Sequence, residues 1–398
     1  MTQRRATIPD VARLAGVSIG TVSNVLNDTV PVADETRARV ERAIARLGFV
    51  RNSHARSLIR TSRPARRDGD VRTPRLVSVG YVSADYTAKV NALPHRDERA
   101  TARTIDKSLG GPAANVAALA AGLGAPFAVQ ADLITVVGLD PESDWAMAEI
   151  VERGVGTSFI RRTPDRRLSR CLVIVEPSGG RTIVNEPFQF DKSDLDPLDG
   201  LDDPPDRRRC IHIEGYQVDS LRSRVAKLRA AGWTASIQAT GLPASRLTEA
   251  GLAGLADSFD VVIVNREAVR TATGWRGSEA ILCDRFAAIF SQRRAGPVVL
   301  TLGEKGALVL PPDRSGPVAV PALPVEAVDT TGAGDAFTGI FLAVWLNTGD
   351  AVMAARHGCI GASLVVTRPT AQGLVPSAKR IGEMAEAETM EREGTGAC

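Results

Sequence analysis

Little in this sequence of 398 residues suits a membrane, an oxidising compartment or a structural metal. No apolar run approaches the ~18 residues that a membrane helix needs, and no apolar segment follows the Arg4-Arg5 pair as it would in an export signal. The five cysteines (Cys171, Cys210, Cys283, Cys359 and Cys398) are scattered without a CxxC pair, and the four histidines are isolated, so zinc-ligand spacing is missing. These absences point to a cytoplasmic protein with reduced thiols. Lysine is absent locally: residues 1–75 hold fifteen Arg, seven acidic residues and no Lys, a net of +8, in a chain whose total is +3. A basic arm on an acidic body suggests a polyanion partner for the arm. Apolar material is plentiful, at 44% against 24% charged, enough for one small and one large domain.

Helical signals fill the arm. Thr7-Ile-Pro-Asp10 fits a capping box with Pro9 in the first turn, and Val11, Leu14 and Ala15 have the spacing of one buried face. Gly16 breaks the run, Val17 can plug the turn, and Ser18 can cap a second helix through Thr21, Val22, Val25 and Leu26. Asp34 and Glu35 open a third, with Val40, Ala43, Ile44 and Leu47 as its core face and Gly48 as its stop. Three short helices with a tight Gly-containing turn between the first two make a helix-turn-helix.

The strings "TIPDVARLAGVSIGTVSNVLN" and "VADETRARVERAIARLGFVRNSHARSL" closely resemble the DNA-binding headpiece of the lac repressor family over Thr7 to Leu58. That resemblance lays the helix from Ser18 to Leu26 in the major groove, with Ile19, Gly20 and Asn24 where the family reads base edges. Thr7, Ser18, Thr21, Ser23 and Asn27 stand as phosphate contacts, and Leu58 sits where a leucine wedges into the minor groove. Arg51 departs from the family's usual proline. The resemblance also implies a homodimer on a near-palindromic operator, nucleoid-associated when bound. Residues 61–75, with five Arg, two Pro and one Gly, read as a tether.

From Leu76 short apolar runs alternate with helical stretches. "LVSVGYV", "LITVVG", "CLVIVE", "CIHIEG", "TASIQA", "VVIVN" and "PVVLTLG" read as strands, and the alternation predicts a doubly wound α/β domain with ligands at the carboxyl ends of its strands. The string that carries most chemistry is "DTTGAGDAFTGIF", Asp329 to Phe341. Gly332-Ala333-Gly334 is a small-residue turn opening a helix, where backbone N–H groups can hold developing negative charge on a phosphoryl group. Asp335 stands in the first turn, where a carboxylate can take a proton from an attacking hydroxyl.

That string resembles the signature of the ribokinase/phosphofructokinase-B sugar kinases, in which the Asp is the catalytic base. Other segments resemble the same family in order over 76–378: "VGYVSADYTAKV", "GGPAANVAALAAGLG", "VVGLDPESDWAMAEIVERGV" (Ser143 replacing a usual glycine), "TLGEKGALVL" and "GASLVVTRPTAQGLVPS". The resemblance implies an all-α helix-turn-helix domain (1–60), the tether, a ribokinase-like α/β domain (76–378) with a small β lid in parts of 86–105 and 165–190, and a tail (379–398). It sets Asp85, Gly110, Gly111 and Asn115 against the sugar. Asn265, Thr301, Gly303, Gly306 and Thr330 fall to the nucleotide, ATP with Mg2+. Arg181, after Gly179-Gly180, reads either as an exposed hairpin residue or as a phosphate contact. The family's Asn-x-x-Glu, whose Glu helps organise magnesium, stands here as "NREAV": Asn265 matches, position +3 is Ala268, and Glu267 comes one residue early as the metal-side acid. Two functions follow. One is a sugar-responsive, DNA-binding transcription regulator that is also an ATP-dependent carbohydrate kinase; the other is a regulator whose inactive kinase fold only senses a sugar or nucleotide.

Overall fold

The structure is a computed structural model that describes residues 8–18, 21–22, 25, 33–47, 73–176, 181–188, 190, 196–197, 204, 206–292, 296–368 and 370–395. It divides into two compact units, 1–67 and 68–398. Thr7, Ile19, Gly20, Ser23, Asn24, Asn27, Leu58 and most of the tether lie outside the described residues.

In the first unit, helices Ile8–Ala15 and Asp34–Leu47 pack through Val11, Ala12, Ala15, Val40 and Ala43, with Val22 and Val25 completing the core. Leu14 does not join it and is 44% exposed; Ala12 takes its place, because positions 11, 12 and 15 cluster on one side of a 3.6-residue helix and 14 falls on its flank. The turn between the first two helices is built as expected. Gly16 is left-handed (φ 63), and Ser18 Oγ accepts a hydrogen bond from the Thr21 amide at 3.1 Å. The Arg39 guanidinium donates to the carbonyls of Ala15 (2.6 Å) and Gly16 (2.9 Å), satisfying groups that the end of a helix leaves open.

The described residues of the second unit form thirteen strands. β1 (Arg75–Val79), β4 (Gln130–Val137), β5 (Ile160–Arg162), β8 (Arg209–Glu214), β9 (Thr234–Gln238), β10 (Val261–Asn265), β11 (Val298–Thr301), β12 (Ala307–Leu310) and β13 (Val318–Val320) form one sheet, ordered β13-β12-β11-β10-β9-β8-β1-β4-β5. Its strands run parallel except for β12, which lies antiparallel to both β11 and β13 at one edge. Alternate residues of the central strands feed two separate cores: Leu76, Leu133 and Ile263 face the helices Pro112–Leu123, Ala333–Thr348 and Ala351–Val365, while Val77, Ile134 and Val262 face Phe286, Phe290 and Trp233. A sheet covered on both faces explains why these strands read as continuous apolar runs. β2 (Ser83–Lys89), β3 (Thr104–Gly110), β6 (Ser169–Val175) and β7 (Arg181–Asn185) form the small second sheet, ordered β3-β2-β6-β7. "CLVIVE" therefore belongs to the lid, and Asp85 stands on the lid's β2 because the first strand of the main sheet ends at Val79. No helix among the described residues is long and apolar enough to cross a membrane.

Candidate active site

The helix Ala333–Thr348 starts from Gly332, whose left-handed φ of 72° no β-branched residue would accept, and its first turn carries Asp335. Only 8% of Asp335 is exposed. Both carboxylate oxygens are held by neutral amides: Asn115 Nδ2 donates to Oδ2 at 2.8 Å and Gln238 Nε2 to Oδ1 at 2.9 Å. Asn115 is oriented in turn by Gln372 Nε2, 2.6 Å from its Oδ1. Burial raises the pKa of Asp335, and the two amides hold back part of that rise.

Asp85 approaches from the lid beside the same group. Ser83 Oγ donates to its Oδ1 at 2.5 Å. Burial pushes its pKa up to about 6, with Ser83 opposing and the Asp335 charge adding. Gly110 and Gly111 link β3 to the Pro112–Leu123 helix directly in front of it; a Cβ at Gly110 would strike the Asp85 carboxylate, and one at Gly111 (φ 97) would strike the Tyr81 carbonyl. The expected sugar-side residues Asp85, Gly110, Gly111 and Asn115 thus lie around Asp335.

Beyond Asp335 opens a cavity of about 490 Å3, lined among others by Gly332, Ala333, Gly334, Thr330, Asn265 and Thr301, with Gly303 and Glu267 also on its wall. Asn265 ends β10 and caps the helix Arg266–Thr273, its Oδ1 accepting from the Ala268 amide at 2.8 Å. Thr301 ends β11, and Gly303 and Gly306 shape the turn that follows, where the Gly306 amide donates to the Gly303 carbonyl at 3.0 Å. Glu267 is 70% exposed and pairs with Arg270 at 2.9 Å. Ser143, the replacement for a glycine, is fully buried and satisfied, donating to Asp140 at 2.6 Å and accepting from the Gly138 amide at 2.9 Å.

Three residues of the site carry no signal strong enough to single them out in sequence. Glu214, at the carboxyl end of β8, is 1% exposed; its Oε1 accepts from the Tyr81 amide and its Oε2 has no partner among the described residues. Burial pushes its pKa up to about 8, the Tyr81 amide opposing and the Asp335 charge adding. Gln238 ends β9 in the same way, and Gln372 arrives from a loop 257 residues beyond the Asn115 it touches. A carboxylate closing the buried run "CIHIE" was the available clue to Glu214. Arg181 is not an exposed hairpin residue. Its Nη2 lies 3.0 Å from Asp329 Oδ1 and 2.6 Å from Thr330 Oγ1, with one-fifth (20%) of the side chain accessible.

A buried carboxylate at the mouth of a helix N-terminus, facing a lid acid on one side and a cavity on the other, over a doubly wound sheet, defines a kinase-type α/β fold of the ribokinase class. Residues 73–378 match the sequence profile of the pfkB family carbohydrate kinases, and the chain belongs to that family. Residues 7–52 match bacterial regulatory proteins of the lacI family. The ATP-dependent ribose-1-phosphate kinase of Halopiger xanaduensis is 29% identical over 312 residues, covering 77% of this chain and 96% of that protein. The HTH-type transcriptional regulator CelR of Thermobifida fusca is 51% identical over 57 residues, 14% of this chain and 17% of that protein. The structure of Arabidopsis thaliana ribokinase complexed with ribose and ATP shares the fold at a TM-score of 0.62 and 21% identity, covering 78% of this chain and 98% of that one.

Proposed function

We propose that this chain is a sugar-responsive transcription regulator that also phosphorylates a sugar, taking the γ-phosphate of ATP. The observation that carries the reading is Asp335: buried, held among the described residues only by neutral amides, and set in the first turn of a helix whose N-terminus opens on the cavity. A carboxylate with a raised pKa and no cation to stabilise it accepts a proton readily. The sugar hydroxyl oxygen bonds to the γ-phosphorus as the bond to the β–γ bridging oxygen breaks; the hydroxyl proton passes to Asp335, and ADP leaves. The amides of the Gly332–Gly334 turn meet the charge that gathers on the phosphoryl oxygens. Asp85 and Glu214 bind sugar hydroxyls, Glu214 donating through its retained proton. Asn265, Thr301, Gly303 and Thr330 line the nucleotide side, with Gly306 shaping the turn behind.

The family also implies Mg2+. The side chains present offer little to that ion by themselves, since Glu267 pairs with Arg270 and Ala268 offers a methyl group, so a magnesium ion here would draw its ligands from water and the nucleotide phosphates. The chemistry proposed for the protein therefore rests on its own residues. The same Glu267–Arg270 pair favours the second reading, a sensor that binds sugar or nucleotide without turnover. On either reading the headpiece binds operator DNA as a dimer in the cytoplasm, and sugar must bind the DNA-bound and free states unequally to regulate.

ADP release by the purified protein across a panel of sugars and nucleosides, with Asp335→Asn as control, separates the two. Turnover with one acceptor that vanishes in the variant establishes the kinase. Saturable binding without turnover establishes the sensor.

A further inference from the structure

We infer that Arg181, carried by the lid, is the cation that binds the γ-phosphate of the nucleotide. The inference rests on the kinase reading and adds to it a residue from a different part of the chain. Arg181 begins β7 and shares one face of the lid with Asp85: Asp85, Cys171 and Asn185 form one register row across β2, β6 and β7, and Arg181 lies four residues from Asn185 on the same strand, hence on the same side. One face of one small sheet therefore presents an acid at one end and a guanidinium at the other.

The guanidinium reaches the start of the phosphate-side turn. Its Nη2 bonds Asp329 (3.0 Å) and Thr330 (2.6 Å), two residues short of Gly332. Asp329 is itself fixed by the amides of Thr331 (2.8 Å) and Thr370 (3.0 Å). Burial alone would push the Asp329 carboxyl up, but these amides and Arg181 hold it below its ordinary value, so it remains an ionised anchor. Both Arg181 contacts use Nη2, and Nε is buried with no partner among the described residues. The two N–H donors of Nη1 remain for a phosphate, whose geometry the guanidinium fork matches.

Among the described residues, the other cations on this side are committed. Arg266, on the cavity wall, bonds the Leu302 carbonyl and pairs with Glu279 (3.1 Å) and Glu304 (3.4 Å). Arg270 holds Glu267. The charge that gathers on the phosphoryl oxygens and on departing ADP then meets the helix N-terminus and Arg181.

Titration calorimetry on the full chain, with the non-hydrolysable β,γ-imido analogue of ATP and with ADP, tests this. In Arg181→Ala the analogue should bind about ten-fold or more weakly, the range of a lost charge-assisted hydrogen bond, while ADP stays within about two-fold. Arg181→Lys should recover part of the loss and melt like wild type, so it decides the matter if the alanine variant does not fold. Equal loss for both nucleotides, or for neither, in a wild type that binds both overturns the role of Arg181 and leaves the kinase reading standing. A wild type that binds neither nucleotide overturns both.

Discussion

At the proposed sugar end of the site the carboxyl groups of Asp85, Glu214 and Asp335 are held, among the described residues, by neutral donors; at the proposed phosphate end Asp329 and Glu267 each face an arginine. The difference lies in what each end does to a proton. Burial without a cation lifts the pKa of all three acids at the first end, whereas Asp329 at the second is held down and stays charged. An end that keeps or accepts protons suits hydroxyl groups, and an end of fixed charges suits phosphate.

The contrast breaks most sharply at Asp335. Asp335→Asn keeps both amide neighbours within reach but cannot take a proton, so turnover should fall by ~10²–10⁴ while sugar binding changes little. Undiminished turnover would remove the proton-accepting role from this end. Asp85→Asn should raise the KM for the acceptor by ~10–100-fold, the cost of a hydrogen bond to a charged group, and leave the KM for ATP alone. A rise in both would mean that Asp85 shapes the cavity as a whole.

Glu214 sharpens the comparison through pH. Unfolded, its carboxyl ionises near 4.5; folded, at about 8. The folded form therefore holds the proton across that window, and the stability of the wild type falls as pH rises from one value to the other. Glu214→Gln removes this slope. Melting curves at pH 5 and pH 8 should show the variant gaining on wild type at the higher pH, and parallel curves would contradict the raised pKa. The smallest effect belongs to the opposite end. Asn265→Ala deletes a helix cap worth about 1 kcal/mol, visible in denaturant unfolding, and should weaken nucleotide without touching the acceptor.

The strands of the main sheet were legible because burial on both faces leaves no room for polar residues, and "DTTGAGD" because an anion-binding turn and its acid must be contiguous. The partners of that acid were not. Asn115, Gln238 and Gln372 come from three distant segments, and nothing local in an amide at the end of a strand or in a loop tells what it will face. Leu14 misled because its spacing was helical while its angle fell at the margin of the core. The assignment of Arg181 turned on a carboxylate 148 positions away in sequence, which its own hairpin could not reveal.

The contact between Gln372 and Asn115 sets an order of events during synthesis. The ribosome releases the arm first, then the centre of the sheet, and only much later the loop that orients Asn115 toward Asp335. A chain interrupted before residue 372 would already carry its whole DNA-reading arm yet lack a finished pocket. Such a fragment would hold the lacI-like arm without the site that the rest of the chain completes.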